Sequence, residues 1–262
     1  MSELIDIEIV KSDLLQVIAK KYNISYEFLL EDLNNIRHYK TVKSKYSCDH
    51  HFFSRDNEQS FYWAGFIAAD GCVHKRSHDS KQLIISLSEK DIAHLQLFKS
   101  HINFDGPISS SITRHSLNNP KWHDSNKNTI SISSMQIFDD MKRFDIVPAK
   151  THIYTFPQWL ADHKLVNHFM RGYVDGDGSF YADSKRGRVC FELRGTYEFL
   201  HTYRDVLEAG AGIKSKVHVT TPDSTSKIKY SGKKLMPQIV DFLYRDATIY
   251  LERKRQKAYG IV

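Results

Sequence analysis

Between Leu14 and Ile36 the apolar residues fall at Leu14, Leu15, Ile18, Ala19 and Tyr22, then at Phe28, Leu29, Leu33 and Ile36. That spacing lines one face of each of two short helices. The run Tyr22-Asn23-Ile24-Ser25 separates them, since asparagine tolerates the left-handed end of one helix and serine caps the next. The pair is a candidate helix-turn-helix, with a helical hairpin packed on the main body as an equal alternative. The polar stretch from Tyr39 to Arg55 predicts a linker, so residues 1–55 read as a helical extension followed by a connection.

From Glu58 onward the pattern switches between periods of 3.6 and 2. A helix ending at Asp70 precedes alternating runs at Cys72 to Ser77 and Gln82 to Ser88, then a helix opened by Glu89-Lys90-Asp91. Strands over Ile108 to Arg114 and Thr129 to Ser133 follow, and a helix over Met135 to Phe144. The same order returns with a helix ending at Asp177, strands at Ser179 to Asp183 and Arg188 to Arg194, and a helix over Tyr197 to Glu208. Strands at Lys214 to Thr220 and Ser226 to Tyr230 and C-terminal helices complete it. The expected fold class is mixed α/β, of the α+β kind. It has two pseudo-symmetric αββαββα repeats, residues 56–160 and 161–262, each built on an antiparallel sheet.

Alternation assigns the faces. Leu83, Ile85 and Leu87, and likewise Val189, Phe191 and Leu193, share one side of the second strand of each repeat. Ser86 and Ser88, and Arg188, Glu192 and Arg194, share the other. The first side is core and the second is wet. The later strands of the second repeat place Lys214, Lys216 and His218 with Thr220, and Lys227 and Lys229 with Ser231, on one side at period two. A positive bias of that kind suits the DNA major groove, where an antiparallel ribbon carries long cations to phosphates and base edges.

The two repeat-opening helices end alike, in Trp63-Ala-Gly-Phe-Ile-Ala-Ala-Asp70-Gly71 and Met170-Arg-Gly-Tyr-Val-Asp-Gly-Asp177-Gly178. Gly65 and Ala69 lie four apart on one helical face, as do Gly172 and Gly176, which lets the helices meet backbone to backbone and brings their ends together. Asp70 and Asp177 then sit where helix-end carbonyls already concentrate negative charge, an unfavourable place for a carboxylate. A divalent cation held by both carboxylates and by carbonyls such as those of Ala69 and Gly176 resolves the conflict. Magnesium, which takes one or two carboxylates with phosphate oxygens and activates water for phosphodiester hydrolysis, is the expected ion, with manganese as a substitute and calcium expected to support binding with little cleavage. Gly71 and Gly178 are expected to ease the turn from helix into strand.

Composition narrows the partners. The 262 residues carry 37 Lys and Arg against 31 Asp and Glu, for a net charge of +6, which favours a polyanion. Three cysteines, Cys48, Cys72 and Cys190, form no CxxC pair, and there is neither a signal-like N-terminus nor a long apolar run. The expectation is a reduced, soluble, intracellular protein with no membrane contact. Cys48, His50 and His51 lack a second ligand pair at zinc-finger spacing and are read as polar linker.

With both nine-residue motifs and both repeats in view, the chain resembles a single-chain, two-motif LAGLIDADG homing endonuclease from about residue 58 to 262. The resemblance implies saddle-like sheets along the major groove, catalytic metal-binding acids at Asp70 and Asp177, and a basic residue from each half near the scissile phosphates. Lys150 and Lys254 are similar in position to those residues, with Arg253 competing for the second place. Ala68 departs from the family pattern at a place where Asp175 keeps an acid. The implied activity is metal-dependent, sequence-specific double-strand DNA cleavage by a monomer on a long target; the family analogy points to a mobile intron or intein, and a free-standing or intron-encoded enzyme is the better fit. The alternative is a non-catalytic binder of the same fold, such as an RNA maturase or a DNA-binding regulator.

Overall fold

A computed structural model describes residues 15–21, 25–27, 45–77, 80–113, 125–221 and 225–261. The chain divides into two compact units, Met1–Ser44 and Lys45–Val262. In the first, residues 15–21 are helical. The expected interhelical break and second helix lie largely outside the described residues.

The second unit opens with a segment that the sequence assigned to the polar linker. Instead it packs on the first repeat: Phe52 and Phe53 are buried, the Asp49 N–H donates to the Ile102 carbonyl at 2.8 Å, and Ser47 donates to Asp105 through both its N–H and its hydroxyl. Two adjacent phenylalanines outweigh the polar residues around them, because each buries far more apolar area than a turn needs.

Helix α1 spans Glu58–Asp70 and starts at a capping box, in which the Asn57 side chain accepts from the Ser60 N–H at 2.9 Å. Strands β1 (Gly71–Ser77) and β2 (Ser80–Ser88) form a hairpin, and a short 3-10 turn leads into α2 (Ile92–His101). Strands β3 (Ser109–Thr113) and β4 (Ser125–Ser133) complete an antiparallel sheet of order β1-β2-β4-β3, followed by α3 (Met135–Lys142). The second repeat gives α4 (Val166–Asp177), β5 (Gly178–Asp183), β6 (Arg188–Gly195), α5 (Tyr197–Ala211) and β7 (Ser226–Ser231). Helices α6 (Leu235–Tyr244) and α7 (Glu252–Tyr259) end it. The mixed α/β fold with two antiparallel sheets is as the pattern predicts.

One expected strand is missing. Lys214 to Thr220 does not pair as a strand; β5-β6-β7 is a three-stranded sheet, and Thr220 alone bridges to Lys227. The segment is still extended and alternating, with Lys214, Lys216, His218 and Thr220 exposed and Val217 and Val219 resting on the core. Local bonding explains the difference: the Val217 N–H is taken by the Ser215 hydroxyl at 3.0 Å, and that hydroxyl in turn donates to Glu208. Alternation reports which side faces water, and it does not report ladder bonding.

Each sheet is apolar on one face and wet on the other. In the first, Leu83, Ile85, Ile130 and Ile132 are buried with Phe98 and Ile137. In the second, Phe180, Phe191, Leu193 and Ile228 are buried with Phe199, Leu207 and Ile239.

Candidate functional site

Helices α1 and α4 form the tightest contact between the repeats, and glycine makes it possible. A Cβ added at Gly65 would lie 2.8 Å from the Phe169 carbonyl carbon and overlap its oxygen. One added at Gly172 would lie 2.8 Å from the Phe66 nitrogen and overlap the Tyr62 carbonyl oxygen. The two contacts are mirror statements of one another, as a pseudo-two-fold axis through the helix crossing requires. Further along, Gly176 faces Ala69 and the Asp70 carboxyl group, its added Cβ falling 3.5 Å from Asp70 Cγ. The sequence therefore brings the two acidic helix ends together.

Gly71 and Gly178 serve a different purpose from the one expected. Their φ angles are −94° and −87°, extended backbone that any residue adopts. A side chain is excluded by space instead: a Cβ at Gly71 would lie 2.9 Å from Ile67, and one at Gly178 would press on Val174.

Both aspartates reach solvent yet stand closely surrounded by protein. Burial raises the Asp70 carboxyl, while Lys254, Arg253 and Lys150 pull it back down. Burial, and then the Asp70 charge, push Asp177 up to about 6, against the pull of Lys150 and Lys254. Two half-enclosed carboxylates, one of which hinders the other's ionisation, are a donor set that a divalent cation would relieve. Among the described residues no group of three or more His, Cys, Asp or Glu could hold a metal. The donor chemistry fits an ion that takes one or two carboxylates and completes its shell with other oxygens, as magnesium does.

The two lysines occupy equivalent places. Lys150 is buried in a 3-10 turn and donates to the Gly71 carbonyl at 2.9 Å. Lys254, buried in α7, donates to the Gly178 carbonyl and, at 3.2 Å, to that of Gly176. The Gly176 carbonyl, read from sequence as a metal ligand beside that of Ala69, is thus shared with an ammonium group. Burial lowers both lysines, whereas Asp70 and Asp177 raise them. Arg253 does not compete for this position, because its guanidinium grips Asp91 with bonds of 2.7 and 2.8 Å.

The expected wet-face residues lie on the wet faces, except Ser88, whose hydroxyl is turned out of solvent. Ser86 is exposed and its hydroxyl pairs with that of Thr129 at 2.8 Å, while the Ser88 hydroxyl is buried without a partner among the described residues. Arg188 and Arg194 are exposed, and Glu192 lies between Arg194 at 3.5 Å and Lys227 at 3.7 Å. Lys229 rests over the Tyr181 ring, 5.2 Å from its centre. Cys48 and His50 are 3.6 Å apart, but burial and the neighbouring Asp49 and Asp105 push the thiol up to about 11, so it is no ready metal ligand.

Polar groups beneath the site escape a reading by sequence. Asp175 is buried and accepts from Tyr62 and Tyr244, each at 2.8 Å, and from the Leu251 N–H at 2.7 Å; burial raises it to about 6. The Tyr62 hydroxyl also meets His94 Nε2 at 2.8 Å. Arg171 is fully buried and donates to the Ile249 and Leu243 carbonyls and to Glu58. Arg171 and Asp175, charged residues inside the second apolar motif, were the available signal. Their partners lie far away in sequence, which only the fold can reveal.

Residues 164–253 match the family described as LAGLIDADG-like domain. No curated protein matches the chain. Among solved structures, the homing endonuclease I-WcaI bound to its DNA recognition sequence superposes with a TM-score of 0.60 at 11% identity, covering 84% of this chain and 90% of that one. The I-LtrWI LAGLIDADG homing endonuclease bound to target DNA gives a TM-score of 0.48 at 11% identity, covering 78% and 89%. Joined to the paired motifs and the pseudo-symmetric helix contact, the family match and the likeness to I-WcaI identify the chain as having the single-chain, two-motif fold of the LAGLIDADG homing endonucleases.

Proposed function

We propose that the protein is a sequence-specific endonuclease of double-stranded DNA that hydrolyses one phosphodiester in each strand with a divalent cation. The observation that carries this reading is the duplicated acid and lysine: Asp70 with Lys150, and Asp177 with Lys254, set about one helix crossing. Each half has the same pair, as cutting two antiparallel strands requires.

Asp70 and Asp177, with the Ala69 and Gly176 carbonyls, would hold magnesium or manganese. The ion supplies Lewis-acid activation of water and offsets charge on the leaving oxygen. Lys150 and Lys254 place a buried cation beside each scissile phosphate, where the low dielectric strengthens its pull on developing negative charge. Calcium, with its looser coordination, supports binding and little cleavage.

DNA lies on the wet sheet faces in this reading. Ser86 serves one half; Arg188, Glu192, Arg194, Lys214, Lys216, His218, Lys227 and Lys229 serve the other. One chain supplies both half-sites, so it acts as a monomer on a long target, within the repeats 56–160 and 161–262. Asp70→Asn or Asp177→Asn should abolish double-strand cutting and leave DNA affinity within a few-fold. Full cleavage by either variant refutes the site, and a wild-type protein that binds its selected duplex without ever cutting it shows the non-catalytic binder instead.

A further inference from the structure

Lys150 and Lys254 end on equivalent carbonyls, but their backbones are held by different means. The residue before Lys150 is Ala149, in left-handed backbone with φ 58°, and it brings no charge. The residue before Lys254 is Arg253, whose guanidinium crosses from the second repeat to the first. It meets Asp91 with Nε donating to Oδ1 at 2.7 Å and Nη2 donating to Oδ2 at 2.8 Å. Asp91 is 6% exposed and stands where the 3-10 turn passes into α2.

A two-bond fork onto a buried carboxylate fixes distance and plane together, as a single lysine contact cannot. It acts where α7 most needs it. The N-cap residue of α7, Leu251, makes no side-chain cap, and the first turn of the helix carries Lys254. That start is held by the Leu251 N–H on Asp175 and by Arg253 on Asp91. Lys254 must thread its ammonium among the carbonyls of Val174, Gly176 and Gly178, so a shift of the turn carries directly into the position of its nitrogen.

We propose that Arg253 and Asp91 are positioning residues for Lys254, and that cleavage of one DNA strand depends on them while cleavage of the other does not. The inference rests on the endonuclease reading above. It predicts unequal half-sites within a pseudo-symmetric enzyme, because the fork has no counterpart at Ala149. A displacement of about 1 Å at a reacting centre costs on the order of a hundredfold in rate. Asp91→Asn and Arg253→Lys should therefore each slow one strand by at least about tenfold.

The test begins with a duplex recovered from a randomised library by the full-length protein in calcium, cloned into a supercoiled plasmid. Single-turnover cleavage in magnesium is then followed for each strand separately. Arg253→Lys keeps the positive charge near Asp70 and Asp91→Asn removes the negative one, so an effect common to both variants reports the lost fork and not either charge. Both variants should accumulate nicked circles, with the nick in the same strand and the other strand's rate within about twofold of wild type. Adding Asp91→Asn to Lys254→Met should slow that strand no further, since the positioned group is already gone. Equal slowing of both strands would make the pair a general brace of the fold and overturn the proposal, as would unchanged rates or nicks in opposite strands. A wild-type protein that cuts neither strand would overturn the endonuclease reading itself and this proposal with it.

Discussion

Replacing Gly172 by alanine tests the helix contact on which the site depends. The added carbon would lie 2.8 Å from the Phe66 nitrogen and 2.9 Å from the Tyr62 carbonyl carbon, and would overlap the Tyr62 oxygen. Carbon contacts relax at about 3.5–4.0 Å, so α1 and α4 must part by about 1 Å. On an exposed helix the same change would gain about 1 kcal/mol of helix propensity. Here overpacking costs about 1–3 kcal/mol, at the upper end because the obstacle is backbone and cannot rotate away. The expected net loss is about 2 kcal/mol in urea denaturation followed by circular dichroism. Cleavage should fall by about a hundredfold, since the parting separates Asp70 from Asp177. Gly65→Ala should match it, and the double variant should cost less than the two together, because one separation accommodates both carbons. Gly187→Ala is the control: φ there is 60° with nothing nearby, so the cost is backbone strain of about 1 kcal/mol with cleavage unchanged. A Gly172→Ala protein that is more stable than wild type, or strict additivity with Gly65→Ala, would refute the close-approach argument.

Charge governs two further outcomes. Burial lowers His94 from 6.5 to about 4, so the unfolded chain takes up a proton that the native state refuses. Stability is therefore full above pH 6.5 and lost as pH falls toward 4, by up to about 3 kcal/mol. Asp175, raised to about 6, works oppositely and gains stability as pH falls through 6. Thermal midpoints of His94→Gln in chelator should consequently fall less steeply between pH 6.5 and 4.5 than those of wild type, and an unchanged slope would exclude His94 as the source. On the wet face of the second sheet, Arg194→Ala or Lys227→Ala should reduce the log-log salt slope of DNA binding by about 0.9 for each phosphate no longer neutralised. Identical slopes would move the DNA-binding face to another surface.

Local pattern made much of this molecule legible. The acidic helix ends, the glycine faces and the inward residues of β2 and β6 obey periodicities of a few residues, which a sequence displays directly. The segment from Lys214 to Thr220 shows the limit of that signal. Its alternation survives in the exposure of its lysines, yet it forms no ladder until Thr220, because strand pairing is decided by a neighbour and not by the segment itself. Phe52 and Phe53 show the opposite error: amid polar residues they read as linker, and the first repeat buries them.

The groups least visible in sequence are those that join the two repeats. Asp175 collects a tyrosine from α1, a tyrosine from α6 and the N–H that precedes α7, and Glu58 at the start of α1 accepts from Arg171 and from Thr248. Position Ala68, the counterpart of Asp175, is apolar and buried, so the polar hub belongs to the second repeat alone. In the endonuclease reading, duplication accounts for the paired acids and lysines, since chemistry on two strands would be done twice. The bracing need be done only once, since a single rigid crossing serves both ends. Symmetry should therefore hold best at Asp70, Asp177, Lys150 and Lys254, and break in the layer beneath them, which is where Arg253, Asp91 and Asp175 are found.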